Sequence, residues 1–153
     1  MRIAIGSDHA GFGLKEDIVG LLRSMNMDFF DCGTNSTESV DYPDFGKKVS
    51  ALVSSGEVDR GILICGTGIG MSMVANKFPG VRASLCNDLF SARMSRLHND
   101  ANVLVLGGRI IGKDLAAEIV KSWLTTPFEG ERHLKRLVKI REIEEDLNIH
   151  GTR

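Results

Sequence analysis

Ile62-Leu63-Ile64-Cys65-Gly66-Thr67-Gly68-Ile69-Gly70 is the stretch whose reading decides the fold of this chain. Three bulky aliphatics predict a buried strand, and a thiol closes it. Gly66, Gly68 and Gly70 predict a tight turn, after which Met71 to Lys77 read as helix. A strand that passes through such a turn into a helix gathers free backbone N–H groups around one point. The positive end of the helix dipole lies behind them. That nest suits an anion or a developing oxyanion, and it favours the thiolate of a cysteine at its rim. Cys65 is therefore the candidate chemical centre.

Outward from this turn the chain alternates strand and helix. Arg2 to Gly6 predicts the first strand, followed by the polar turn Ser7-Asp8-His9-Ala10-Gly11. Leu14, Ile18, Leu21, Leu22 and Met25 then recur at helical spacing. Phe29 and Phe30 mark a second strand. Asp41-Tyr42-Pro43-Asp44 opens a helix through Phe45, Val49, Leu52 and Val53, with Pro43 suited to its first turn. Beyond Cys65, Val81 to Cys86 predicts a fourth strand and Asp88 to His98 a helix capped by Asp88. Val103 to Leu106 is the fifth strand, and Leu115, Ile119, Val120 and Trp123 line the next helix. The alternation predicts an α/β fold, a three-layer αβα sandwich around a five-stranded parallel sheet of Rossmann-like type. Ligands of such sheets sit past the carboxyl ends of the strands, where Asp8-His9, Cys65 to Gly70, Asn87-Asp88 and Gly107 to Arg109 fall. One helix is surplus to this scheme. Leu134, Leu137, Ile140, Ile143 and Leu147 form an apolar stripe that packs either on a second subunit or back on its own domain.

The 153 residues read as one domain, 1–153, large enough for a full core. A net charge of −1 leaves no footprint for nucleic acid or an anionic membrane. Residue types and apolar run lengths predict a cytoplasmic chain without a signal peptide or membrane span. Cys32, Cys65 and Cys86 read as free thiols.

A buried structural role is the common fate of a strand cysteine, and it is the reading given to Cys32 and Cys86. The glycine run after Cys65 is not a P-loop, which needs Gly-Lys-Ser/Thr. Nor is it G-x-G-x-x-G, since Met71 stands where the third glycine belongs. An anion smaller than a nucleotide is the better match. Asp8 and His9 share the edge with Cys65. His98 and Asn99 end a helix, where an imidazolium is favoured by the dipole and a proton donor is available near neutrality. Arg132 and Arg136 are one helical turn apart, a spacing at which two guanidiniums converge on one phosphate, and Arg109 adds a third. His150 is given no role. No His and carboxylate cluster has metal-ligand spacing, so metal-free chemistry is expected. Two chemistries fit a thiol in an oxyanion cradle: nucleophilic attack, or removal of a proton alpha to a carbonyl. The second is the better match, because no arginine closes the loop after Cys65.

Gly6 to Gly11, Asp41-Tyr42-Pro43, Gly61 to Gly70, Ala75-Asn76-Lys77, Ser95 to Leu104 and Glu131-Arg132-His133 together resemble the type B ribose-5-phosphate isomerase family. That family includes allose- and galactose-6-phosphate isomerases. The resemblance implies interconversion of D-ribose 5-phosphate and D-ribulose 5-phosphate without metal or cofactor. It implies Cys65 as the base, Thr67 assisting proton transfer, and the amides of Gly66, Gly68, Ile69 and Gly70 holding a cis-enediolate. It further implies His98 as the ring opener, with Asp8, Tyr42 and Asn99 on hydroxyls and His9, Arg109, Arg132 and Arg136 on phosphate. One branch of the family replaces the cysteine by a glutamate just after the glycine turn. Here Met71 holds that place and Cys65 is present, so the chain resembles the cysteine branch. The family is dimeric or tetrameric with shared sites, which implies a subunit interface along 131–147. A hexose 6-phosphate isomerase and a non-catalytic sugar-phosphate-binding subunit are the alternative expectations.

Overall fold

Strands β1 (Arg2–Ser7), β3 (Arg60–Cys65) and β5 (Val103–Gly107) are buried along nearly their whole length. Such continuous burial is what a parallel sheet covered on both faces demands. The computed structural model describes the backbone of residues 1–150 and the side chains up to Leu147; the side chain of His150 lies outside the described residues. Shorter strands β2 (Asp28–Asp31) and β4 (Ala83–Leu85) form the edges. The order is β2-β1-β3-β5-β4, and every pair is parallel.

Alternate strand residues point to opposite faces. Ile3, Ile5, Ile62, Ile64, Leu104 and Leu106 meet helices α1 (Phe12–Ser24), α4 (Leu89–Asn99) and α5 (Lys113–Thr125). Ala4, Leu63, Cys65, Val103 and Val105 meet α2 (Tyr42–Ser54) and α3 (Ile69–Ala75). The expected α/β sandwich is therefore present, with strand order supplied by the structure. β1 leads to β2 on one side and the chain then returns to β3 on the other, so the winding reverses between β1 and β3. This is the crevice where such sheets bind ligands.

Helix α6 (Glu131–His150) packs against α4 near its start. Farther along, the Glu144 carboxylate accepts the Gly80 N–H at 2.9 and 3.0 Å. Its apolar stripe packs back on the domain only loosely, with Ile140, Ile143 and Leu147 lining a groove opposite Asn76, Pro79 and Val81. Leu134, Ile140, Ile143 and Leu147 are all exposed, and Leu137 is half-buried.

Candidate active site

The carboxyl edge of the sheet is built by three strand ends brought level. Ser7 pairs with Ile64, and Cys65 pairs with Gly107. The chain after β5 folds over the chain after β3: Gly108 N–H donates to Cys65 O at 2.8 Å, and Arg109 N–H donates to Gly66 O at 2.9 Å. Arg109 is thereby laid beside the thiol's own turn, while its side chain stays exposed.

The Cys65 thiol is 5% exposed, and its Sγ receives the Gly68 N–H at 3.2 Å. Gly68 caps α3 in the left-handed region, at φ +79°. A Cβ there would overlap Leu85 Cδ1 and stand 3.1 Å from the Leu106 carbonyl, so only glycine closes this turn. Ile69 N–H donates to Thr67 Oγ1 at 3.3 Å. Among the described residues the amides of Thr67 and Gly70 have no hydrogen-bond partner. Unspent N–H groups beside a thiol at a helix start are the nest foreseen from the glycine pattern. Tyr42, first residue of α2, lays its ring on this helix start. A Cβ on Gly70 would stand 2.6 Å from Tyr42 Cζ.

Asp8 is buried and accepts the Gly11 N–H at 3.0 Å through one carboxylate oxygen. His9 Nδ1 lies 3.2 Å from both the N and the O of Val40, which fixes the ring and leaves Nε2 for a ligand. Val40 belongs to the 32–41 segment, whose start is tied down by Cys32 N–H to Ile5 O and Thr34 N–H to Ser7 O. Lys15, almost fully buried, reaches Asp31 at the end of β2 at 2.5 Å. Neither Val40 nor Lys15 carries a sequence signal for this role.

His98, Asn99, Arg132 and Arg136 are not on this edge. α4 begins past β4 at the carboxyl side and runs back, so its last residues lie at the amino edge. There Arg82 Nε donates to Asn99 O at 3.2 Å, and Gly61 N–H donates to Asn102 O at 2.8 Å. The six residues of β3 separate the two edges by about 20 Å. The sequence-predicted residues therefore fall into two groups, each a candidate half-site: Asp8, His9, Tyr42, Cys65 to Gly70 and Arg109 on one edge, and His98, Asn99, Arg132 and Arg136 on the other.

The second half-site contains two residues that spacing alone does not flag. The His98 and His133 rings stack at 4.2 Å with 11° between their planes. Glu129 Oε2 lies 3.7 Å from His98 Nε2 and 3.3 Å from His133 Nε2. Arg132 Nε and Arg136 Nη1 each approach a His133 ring nitrogen at 3.3 Å. Burial first, then the neighbouring His98 and Arg132, hold the His133 imidazole below its usual pKa. The fold thus assembles a His–Glu–His cluster, with ligand atoms within 4.8 Å of one another, that no sequence run contains. Its members come from the end of α4, the 126–130 connection and α6. Two flanking guanidiniums make it a setting for an anion rather than a cation.

Residues 3–140 match the family model described as Ribose/Galactose Isomerase. The chain is 49% identical to ribose-5-phosphate isomerase B of Escherichia coli over 147 residues, which is 96% of this chain and 99% of that one. It superposes on the ribose-5-phosphate isomerase B structure from Clostridium thermocellum with a TM-score of 0.93 at 55% identity, covering 95% and 99% of the two chains. A D-erythrulose-4-phosphate isomerase of Pectobacterium atrosepticum is 42% identical over 141 residues, 92% of this chain and 93% of that one. With the thiol nest at the switch point and these relatives spanning nearly the full chain, the protein belongs to the ribose/galactose isomerase family and is an aldose–ketose isomerase.

Proposed function

We propose that the enzyme interconverts D-ribose 5-phosphate and D-ribulose 5-phosphate in sites that two copies of the chain build together. His98 gives a proton to the furanose ring oxygen as the C1 hydroxyl gives one up to solvent, so the C1–O4 bond breaks and an aldehyde forms. The Cys65 thiolate then takes the hydrogen from C2. The electron pair moves into a C1–C2 double bond, and negative charge on O1 is held by the nest formed by Gly66, Gly68, Ile69 and Gly70. Thr67 relays a proton between O1 and O2, and the Cys65 thiol returns its proton to C1. Asp8, Tyr42 and Asn99 hold hydroxyls; His9, Arg109, Arg132 and Arg136 take the phosphate.

The observation that carries this reading is the Gly68 N–H aimed at Cys65 Sγ beside the unspent amides of Thr67 and Gly70. A second copy is part of the reading because the two half-sites stand at opposite edges of one sheet. The exposed stripe of α6, within 131–147, offers a surface for that copy. In heavy water the enzyme exchanges the C2 hydrogen of its substrate. Cys65→Ala lowers that exchange by about 10²–10⁴-fold, the usual contribution of a general base. Full exchange in the variant assigns the base elsewhere. The relative named for a four-carbon ketose phosphate indicates that the scaffold serves more than one chain length. Turnover of ribose 5-phosphate against allose and galactose 6-phosphates identifies the length preferred here, and turnover of none would leave a binding subunit.

A further inference from the structure

We propose that His133 and Glu129 are positioning residues for His98, holding its ring plane without touching the sugar, and that His133 also spaces the two arginines beside it. The inference rests on the reading of His98 as the ring opener. A half-exposed imidazole at a helix end has many rotamers to lose, and the surroundings of His98 remove them. The buried His133 ring lies flat against one face of it. The Glu129 carboxylate stands beside its Nε2. Glu129 is itself tied to α4, because its N–H donates to Leu97 O at 3.0 Å.

The backbone between the two residues is bent to bring this about. Gly130 and Glu131 both take positive φ, +73° and +43°, and His133 N–H donates to Gly130 O at 2.9 Å. A left-handed glutamate is a costly conformation, and such strain gathers where side-chain placement matters. The turn lets Glu129 and the first turn of α6 converge on one imidazole. Arginine has only donors, so a His133 nitrogen facing a guanidinium accepts from it. His133 Nε2 accepts from Arg132 Nε at 3.3 Å, and Nδ1 lies 3.3 Å from Arg136 Nη1, so the ring stands between the two guanidiniums with Glu129 Oε2 beside it. His133 is then a neutral spacer that links the ring-opening group to the phosphate-binding arms. Glu129 faces His98 directly, while Arg132 and Arg136 reach the His133 ring stacked on it; Asp100, the cap of α4, is paired with Arg82 and Arg96.

The test uses the assembled enzyme with Glu129→Gln, His133→Asn, His133→Phe and His98→Asn. Ribulose 5-phosphate is open-chain, since its O5 carries the phosphate, so solvent exchange at its C1 reports proton transfer without ring opening. Glu129→Gln and His133→Asn lower kcat/KM on ribose 5-phosphate by about 10–100-fold, the range of a misplaced acid–base group, yet change exchange into ribulose 5-phosphate less than about threefold. His133→Phe keeps the stacking partner but not the nitrogens, so it raises KM for the phosphate ester with little change in kcat. If His98→Asn is impaired while Glu129→Gln and His133→Asn match the parent in kcat/KM on ribose 5-phosphate, the positioning role is refuted. If His98→Asn itself is silent on ribose 5-phosphate, the ring-opening reading fails first. Variants that do not fold are recognised by loss of exchange into ribulose 5-phosphate, and His133→Phe, which preserves burial, then decides the case.

Discussion

Two inactive chains should restore each other. The thiol half-site and the imidazole half-site lie at opposite edges of the sheet, about 20 Å apart along β3, and no side chain spans that gap. A Cys65→Ala chain keeps a sound His98, Arg132 and Arg136; a His98→Ala chain keeps a sound Cys65 nest. In the proposed assembly two copies meet about a two-fold axis, and each site takes one edge from each copy. A mixed pair then contains one site with both residues intact and one with neither. Random reassortment at equal amounts makes half the pairs mixed, so the mixture recovers about one quarter of parental activity while each variant alone stays near background. The assay co-refolds the two variants, follows ribulose 5-phosphate formation, and separates mixed pairs by distinct affinity tags. Tagged mixed pairs should run at about half the parental rate per pair. No recovery in verified mixed pairs would refute the split, because a site contained in one chain has no intact version in any combination.

Three further outcomes follow from the geometry. Gly68→Ala forces a left-handed alanine against Leu85 and Leu106, costing about 2–5 kcal/mol from backbone strain and overpacking together. Denaturant midpoint and hydrogen exchange from C2 should fall together, and an unchanged midpoint would show the turn to be pliable. Arg132→Ala removes a charge-assisted contact worth about 1.5–3 kcal/mol, so KM rises about 10–100-fold with little change in kcat; a collapse of kcat at constant KM contradicts a phosphate role. His133 is held neutral in the fold, so the folded chain binds fewer protons here than the unfolded one. Its contribution to stability is complete above the ordinary imidazole value of about 6.5 and is lost as pH falls from there toward the lowered folded value. Thermal midpoints measured from pH 7 to 5 should drop more steeply in the parent than in His133→Asn, and equal slopes exclude this origin.

The first half-site is legible in the sequence because each of its parts follows a strand end, and aliphatic runs announce strand ends. Ile3-Ala4-Ile5, Ile62-Leu63-Ile64 and Val103 to Leu106 place Asp8, Cys65 and Arg109 together before any contact is known. Strand boundaries are less legible where side chains replace ladder bonds. Val81 to Cys86 reads as one strand, yet only Ala83–Leu85 qualifies. Asn102 Oδ1 takes the Arg82 N–H and Asn76 Oδ1 takes the Ala83 N–H, so polar side chains close the start of this edge. Apolar periodicity carries no strand order either, since β1, β3 and β5 are apolar on both faces and exchange of their places leaves the pattern unchanged. Asp88 is legible as a cap from its residue type, and its carboxylate does accept the Ser91 N–H at 2.7 Å.

The second half-site follows a different rule. In a parallel sheet every helix that follows a strand must carry the chain back to the opposite edge before the next strand begins. A residue just after a strand and a residue at the end of the next helix are therefore held apart by the height of the sheet, whatever their spacing. Cys65 belongs to the first kind and His98 to the second. On the proposed reading, in which Cys65 and His98 act on one sugar, the chain completes its site by contact with another copy. The long stripe of α6, left open after the sheet is covered on both faces, is what such contact requires. The order of the elements and the position of each residue within its element decide which edge a group reaches. The cluster around His133 obeys the same rule, since Glu129 and Arg136 flank the turn that follows α5, another helix returning to the amino edge.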